Sequence, residues 1–325
     1  MTAKRVMVTG AAGYVGRPLV AALLRAGYIV RAATRSPGAV PNGCEIAVVP
    51  DFSRDIDWDT IVAGVDIVIH AAGLAHADDL KLGFGAHKRI NWLQTQSLAF
   101  AAKRAGVSQF IYISSVRAQV GPSSVRQVSE QDEPHPTDDY GRSKLAGESA
   151  IRVAEVPFTI LRPTVIYGAR PKGNLKALLR LAAQPLPLSF SAFTSRRSLL
   201  GIDNLISAIL LVLGNPDTAG ETYLLADPTA FSLDEIFTML RAAHGRPPGY
   251  LRVPPMLMRL ALAVLRRRYL WHRLNEDLVV DTSKLQALGW RPPVDTYAGI
   301  LAMVRAENGG ATSPAKPDES IVRAR

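Results

Sequence analysis

Residues 9–16 read Thr9-Gly10-Ala11-Ala12-Gly13-Tyr14-Val15-Gly16. They follow an apolar run, Val6-Met7-Val8, and precede residues 18–26, whose apolar positions recur at helical spacing up to Gly27. Pro18 suits a first helical turn. A glycine-rich turn between a strand and a helix has a mechanical reading. Gly10 permits the tight turn, Gly13 lets the backbone approach a pyrophosphate, and Gly16 lets helix and strand pack closely. Backbone N–H groups at the helix start then face the phosphates. The bland alternative is a strand–helix turn with no ligand; spacing and position together count against it.

The same alternation continues outward. Strand-like runs are expected at 28–34, 45–49, 65–70, 107–115 and 158–162, with helices at 58–63, 86–105 and 140–154 between them. Continuous apolar strands separated by helices predict an α/β fold with a parallel sheet covered on both faces, doubly wound through right-handed crossovers. Residues 1–165 are expected to form this dinucleotide-binding part, with a return to it near 196–214. After Pro163 prolines and glycines become frequent. Helices are expected at 175–183, 205–213, 233–243 and 255–268, so 166–306 reads mostly as a smaller, interleaved substrate-binding lid. The tail 307–325 is polar and aperiodic and is expected to be disordered.

Composition narrows the classes. Of 325 residues, 48% are hydrophobic and 20% charged, ordinary for a globular chain. The single cysteine, Cys44, excludes an internal disulfide and a thiolate metal cluster, and a cytoplasmic setting fits best. No metal is expected. The N-terminus carries no signal-peptide pattern. The apolar stretch 256–265 is interrupted by Arg259 and followed by Arg266-Arg267-Arg268, too short for stable insertion in a bilayer. It suits either a basic amphipathic helix touching a membrane surface or a solvated helix flank. The net charge of +10 is spread along the chain with no aromatic–basic module, which favours small anionic ligands over nucleic acid.

Two features bear on the cofactor. The second strand ends Thr34-Arg35-Ser36, where an acid normally accepts bonds from the adenosine ribose. An arginine there can meet a 2′-phosphate, which tilts NAD(P) toward NADP(H), although Arg35 reads equally well as a surface residue. Asp51-Phe52 follows the third strand and is placed to contact the adenine, unless Asp51 is only a loop cap. Ala71-Ala72-Gly73 follows the fourth strand and leaves room for the cofactor.

Tyr140-Gly141-Arg142-Ser143-Lys144 opens a helix. Residues four apart share a helical face. A phenol with a pKa near ~10 is a poor base at neutral pH, and a neighbouring ammonium favours its phenolate. The pair can move a hydroxyl proton while hydride moves to or from carbon. Ser114-Ser115 ends the preceding strand and offers a hydroxyl.

Together with His70-Ala71-Ala72-Gly73, Asn91 and Thr95, Ile113-Ser114-Ser115, the run from Leu161 to Gly168, Arg196 to Leu205, and Asp281 to Lys284 with Leu288-Gly289-Trp290, these motifs resemble the extended short-chain dehydrogenase/reductase family. The resemblance is to its branch of nucleotide-sugar epimerases, dehydratases and 4-ketoreductases, and it reaches about Arg305. It implies a Rossmann sheet. It implies that Tyr140 is the acid/base, that Lys144 holds the nicotinamide ribose and tunes Tyr140, and that Ser115 orients the substrate, with Ser114 as the fallback. Asn91 would support the backbone near Lys144. The cofactor cradle would comprise Gly10, Gly13, Tyr14, Val15, Gly16, Arg35, Asp51, Phe52, Ala71, Ala72, Gly73, Asn91, Ser114, Tyr140, Lys144 and Pro163. Asn174, Arg197 and Arg273 match positions that hold a nucleotide diphosphate; the plain alternative is ordinary surface polar residues.

The chain departs from the dehydratase pattern, because Val116-Arg117 stands where an Asp-Glu pair would remove water. The implied activity is therefore at C4 of a nucleotide-activated, UDP-type sugar, as 4-epimerase or 4-ketoreductase. The pattern is closest to bacterial surface-polysaccharide enzymes, including UDP-N-acetyl-quinovosamine-type 4-ketoreductases. A homodimer through helices 86–105 and 140–154 is implied as well. Two competing readings are reduction of a non-nucleotide carbonyl and a non-catalytic NADP(H) sensor on the same fold. The intact Ser115, Tyr140 and Lys144 weigh against the sensor.

Overall fold

Short strands with no exposed side chain need cover on both faces. β1 (Arg5–Thr9), β4 (Ile67–His70), β5 (Gln109–Ile113) and β6 (Phe158–Pro163) have that character, and each is buried over most or all of its length. The computed structural model describes residues 3–74, 83–171, 173–266, 271 and 275–308. In it these strands pair in parallel with β2 (Ile29–Thr34), β3 (Glu45–Val48) and β10 (Glu221–Leu225) in one seven-stranded sheet, ordered β10-β6-β5-β4-β1-β2-β3. The edge strand β3 alternates half-buried and exposed residues, as a strand covered on one face should. The strand order reverses between β1 and β4, which is where α/β sheets of this kind bind ligands. The fold is the expected doubly wound parallel sheet.

Helices α1 (Gly16–Arg25), α2 (Trp58–Val62), α4 (Gln94–Arg104) and α6 (Asp139–Val153) cross between the strands. The expected single helix over 86–105 is built differently. A short helix α3 (Gly83–His87) leads into a π-helical stretch, Lys88–Leu93, which leads into α4. The Asn91 carbonyl accepts the hydroxyls of Thr95 at 2.8 Å and Tyr112 at 3.3 Å, so side chains serve it inside the wide turn. Short α5 (Val116–Gln119) follows β5.

By backbone contacts the chain divides into two compact units: Met1–Thr164 with Leu205–Leu225 and Val280–Arg291, and Val165–Asn204 with Ala226–Val279 and Pro292–Arg325. The chain therefore re-enters the first unit at Leu205, inside helix α8 (Ile202–Val212), and the strand it adds to the main sheet is β10. Arg196–Gly201 (β9) instead pairs with β7 (Val165–Tyr167) and β11 (Ala230–Ser232) in the second unit. A two-stranded pairing, β8 (Leu188–Ser189) with β12 (Leu251–Arg252), completes that unit's sheets. Its core packs Leu179 and Ala182 of α7 (Gly173–Ala182) with Phe190, Phe193 and Phe237, the last on α9 (Leu233–Ala243). A capping box of Ser232 and Glu235 opens α9. Helix α10 (Pro255–Val264) ends before the expected 268. The expected disordered tail lies, from residue 309 on, outside the described residues. Among the described residues no helix is long and apolar enough to cross a membrane.

Candidate active site

The turn after β1 is held by its own backbone. Gly13 N–H donates to the Gly10 carbonyl at 2.8 Å. Gly10 has φ +67°, in the left-handed region that favours glycine. A Cβ on Gly16 would stand 2.0 Å from the Gly10 carbonyl oxygen, so no other residue fits without moving the turn. Helix α1 then begins with no side-chain cap and no acid in its first turn. Its opening N–H groups and the positive end of its dipole therefore have no side-chain partner, which fits an anionic phosphate ligand. Tyr14 and Val15 lie in this turn. Ala71, Ala72 and Gly73 face it from the end of β4, and Ala72 N–H donates to Thr9 Oγ1 at 3.2 Å.

At the ends of β2 and β3, exposed Arg35 and half-buried Asp51 form an ion pair. Asp51 also accepts from Ser53 N–H at 2.8 Å, and this bond, with that of Arg35, holds its carboxyl below the usual carboxylate range. The loop-cap reading of Asp51 is thus part of its structure. Phe52 packs into the core beside Trp58, ring centroids 5.6 Å apart, and stacks near His70.

Asp138 caps α6 by accepting from Gly141 N–H at 2.8 Å, which fixes where Tyr140 emerges. One turn on, the Lys144 ammonium donates to the Ile113 carbonyl at 2.9 Å and lies 4.6 Å from the Tyr112 ring centroid. Lys144 is 4% exposed. Burial lowers its pKa to about 8, against an opposing pull from Glu148. Asn91 braces the same region. Its amide oxygen accepts from Leu74 N–H at 2.8 Å, and its amide nitrogen donates to the Leu74 carbonyl at 3.2 Å and to Ser143 Oγ at 3.0 Å. Ser143 in turn donates to the Tyr140 carbonyl at 2.7 Å. The loop after β4, the π-helical stretch and the start of α6 are therefore tied by one amide.

The two serines at the end of β5 separate. Ser114 donates its hydroxyl proton to buried Glu148 at 2.5 Å. Arg162 grips the same carboxylate with two bonds, of 2.9 and 2.6 Å, and also reaches Gln119. The Ser114 hydroxyl proton therefore points into a buried ion-paired network. Ser115 Oγ accepts from Arg117 N–H at 3.2 Å and caps α5; its own hydroxyl proton is not spent in that bond. Arg117 pairs with Asp138. Pro163 closes β6.

Sequence reasoning gave no role to two histidines, quoting His70 only within a motif and not naming His87. His70 is fully buried; desolvation first, and the Lys144 charge second, lower its pKa to about 3. Thr9 Oγ1 lies 2.6 Å from its Nδ1 and Thr95 Oγ1 3.0 Å from its Nε2. Thr95 spends its proton on the Asn91 carbonyl, so Nε2 carries the imidazole proton and Nδ1 accepts from Thr9. His87 is 1% exposed, and among the described residues neither ring nitrogen has a hydrogen-bond partner. Its ring stands edge-on to Tyr140 with centroids 6.1 Å apart. Nothing in the local sequence marks it, since it falls among the polar positions of an ordinary-looking helix.

In the second unit Asn174 sits at the start of α7, half-buried. Arg197 lies on β9 and donates to the Glu276 carbonyl at 3.0 Å. Arg196, beside it, bonds the Ala230 carbonyl and pairs with Glu235. Arg273 lies outside the described residues. Among the described residues no cluster of His, Cys, Asp or Glu could hold a metal ion.

Comparison with known proteins gives the family and the fold. The chain is 31% identical to a Vibrio cholerae protein named UDP-glucose 4-epimerase, over 93% of this chain and 95% of that one. It is 31% identical to a Caulobacter vibrioides ceramide reductase over 77% of this chain and 73% of that protein. The fold matches a Bacillus cereus UDP-glucuronic acid 4-epimerase solved with NAD, at a TM-score of 0.75 and 23% identity over 94% of this chain and 99% of the other. Residues 6–226 match the model of the NAD dependent epimerase/dehydratase family, and with these relatives the match shows that the chain belongs to it.

Proposed function

We propose that this protein is an NAD(P)-dependent enzyme acting at C4 of a UDP-linked sugar, as 4-epimerase or 4-ketoreductase. The observation that carries the proposal is the buried Lys144 ammonium, held against the Ile113 carbonyl one helical turn from Tyr140. The Vibrio relative's name supplies the substrate class.

The glycine turn from Gly10 to Gly16 and the bare start of α1 would hold the dinucleotide phosphates. The nicotinamide, when bound, supplies or accepts hydride. Lys144 would hold the nicotinamide ribose, and its charge favours the phenolate of Tyr140. Tyr140 takes the proton from the C4 hydroxyl on oxidation and returns it on reduction. Ser115 donates its hydroxyl proton to the same oxygen. His87, beside Tyr140 and with neither nitrogen bonded among the described residues, would bond a sugar hydroxyl. Asn174, Arg197 and Arg273 would grip the diphosphate. Val116-Arg117 brings no acid to the dehydratase positions, and Arg117 pairs with Asp138. Arg35 is the residue that would select a 2′-phosphate, and Asp51 competes for its guanidinium. A shift in the NADPH to NADH affinity ratio in Arg35→Asp tests that selection. Exposed Phe100 and Val153 support a homodimer through α4 and α6 in a cytoplasmic enzyme.

The test is product analysis by NMR after incubation with a panel of UDP-sugars. Inverted C4 with no external cofactor, and NAD+ released on denaturation, identifies an epimerase. Consumption of added NAD(P)H with a 4-keto sugar identifies a reductase. No reaction with any UDP-sugar, together with reduction of a lipid ketone, would favour the second reading, which the ceramide reductase relative supports.

A further inference from the structure

Helix α10 turns an apolar face outward. Met256, Leu257, Leu260 and Val264 are 82%, 58%, 60% and 75% exposed. At 100° per residue they fall on one side of the helix. The opposite side carries Leu262, buried, and Met258, packed against the core of the second unit. Tyr250 and Leu251 continue the exposed apolar surface into β12. Single exposed apolar residues are normal, whereas a contiguous patch of them marks an interaction surface.

The charged residues of the segment that carries this patch have one sign. Residues 236–275 contain eight arginines and no lysine, aspartate or glutamate. Arg252, Arg259 and Arg266 are exposed along the segment that carries the patch. Arg259 lies 5.9 Å from the ring centroid of Trp271, which packs against the core of this unit. A second copy of the chain is a poor occupant, since a two-fold contact would set these arginines against their own copies with no acid from the segment between them. A bilayer rich in anionic lipid answers both features, with acyl chains for the leucines and headgroups for the arginines. Ten residues of helix are about 15 Å long, half of a hydrocarbon core of about 30 Å, so the helix would lie in the interface and not span it.

We propose that α10, with the arginines flanking it, docks the protein on the surface of a membrane rich in anionic lipid. This is independent of which sugar or lipid is the substrate, and its test needs no turnover. The full chain is floated with vesicles of phosphatidylcholine alone, or of phosphatidylcholine with phosphatidylglycerol, at low and high salt. Binding is expected to the anionic vesicles alone and to weaken with salt. Each arginine near an anionic surface is worth about fivefold in partitioning, so Arg252→Glu with Arg266→Glu should lose at least about 25-fold. Leu257→Glu with Leu260→Glu should abolish binding, with circular dichroism and melting temperature unchanged because both side chains face solvent. Wild-type protein that stays off anionic vesicles at low salt overturns the proposal. So does a leucine double variant that binds as the wild type does. Self-association seen by ultracentrifugation in the wild type and lost in that variant overturns it as well, by showing that the face is a subunit contact.

Discussion

Replacing Lys144 by methionine separates what the lysine costs from what it does. Burial lowers its pKa from the ordinary 10.5 to about 8. That displacement is worth roughly 3 kcal/mol at about 1.4 kcal/mol per tenfold in proton activity. Below about pH 8 the folded and unfolded chains both hold the proton, and the fold carries the full cost of the buried charge. Between about 8 and 10.5 the folded chain has released a proton that the unfolded chain still binds, so this group adds stability as pH rises. Methionine has no such dependence. Relative to Lys144→Met, the wild type should therefore gain roughly 1 kcal/mol by pH 9 and roughly 3 kcal/mol by pH 10. The absolute gap near neutrality mixes the relieved charge with the bond lost at the Ile113 carbonyl, so only its pH dependence is diagnostic. Urea titrations of both cofactor-free proteins, followed by intrinsic fluorescence, measure it. Turnover, absent in the variant, should decline in the wild type above about pH 8 as the ammonium is lost. A stability gap that stays flat from neutral pH to about pH 10 would refute a desolvated ammonium at this position.

Tyr140→Phe should lower turnover by at least about 100-fold while nucleotide affinity, measured by NADPH fluorescence, stays near the wild-type value. Gly16→Ala places a Cβ against the Gly10 carbonyl; cofactor binding should vanish and the melting temperature fall, and unchanged affinity would mean that the turn does not hold the dinucleotide. Arg197→Ala should weaken UDP binding roughly ten- to a hundredfold by calorimetry, the worth of a bond to a charged group, with cofactor affinity unchanged. His87→Leu should raise KM for the sugar more than it lowers kcat, and an unchanged KM would leave His87 a packing residue.

The parts of the fold that were legible are those written locally. The turn from Gly10 to Gly16 and the Tyr140–Lys144 spacing are short and contiguous, and helix 233–243 is delimited by its own capping box. What was not legible depends on distant partners. Glu221–Leu225 is half polar at its start and becomes a sheet strand only by pairing with β6, some sixty residues away. Arg196–Gly201 is apolar enough for the main sheet but pairs elsewhere. Ser114 and Ser115 are equivalent in sequence, and only the reach of Glu148 from α6 separates them. The π-helical stretch has no signature either, because Lys88–Leu93 differs from an α-helix by one residue of winding.

That one residue sets a phase. An α-helix advances about 100° per residue, so a single extra residue in the winding turns everything before it by nearly a third of a revolution against everything after it. His87 lies upstream of the wide turn, while Thr95, which receives the His70 ring, lies downstream. A uniform helix with one residue fewer would serve only one of these two addresses. Deleting Arg89 should thus preserve helix content and the Thr95–His70 bond while swinging the His87 ring away from Tyr140, so the inserted residue works as a splice between two faces that regular geometry keeps apart.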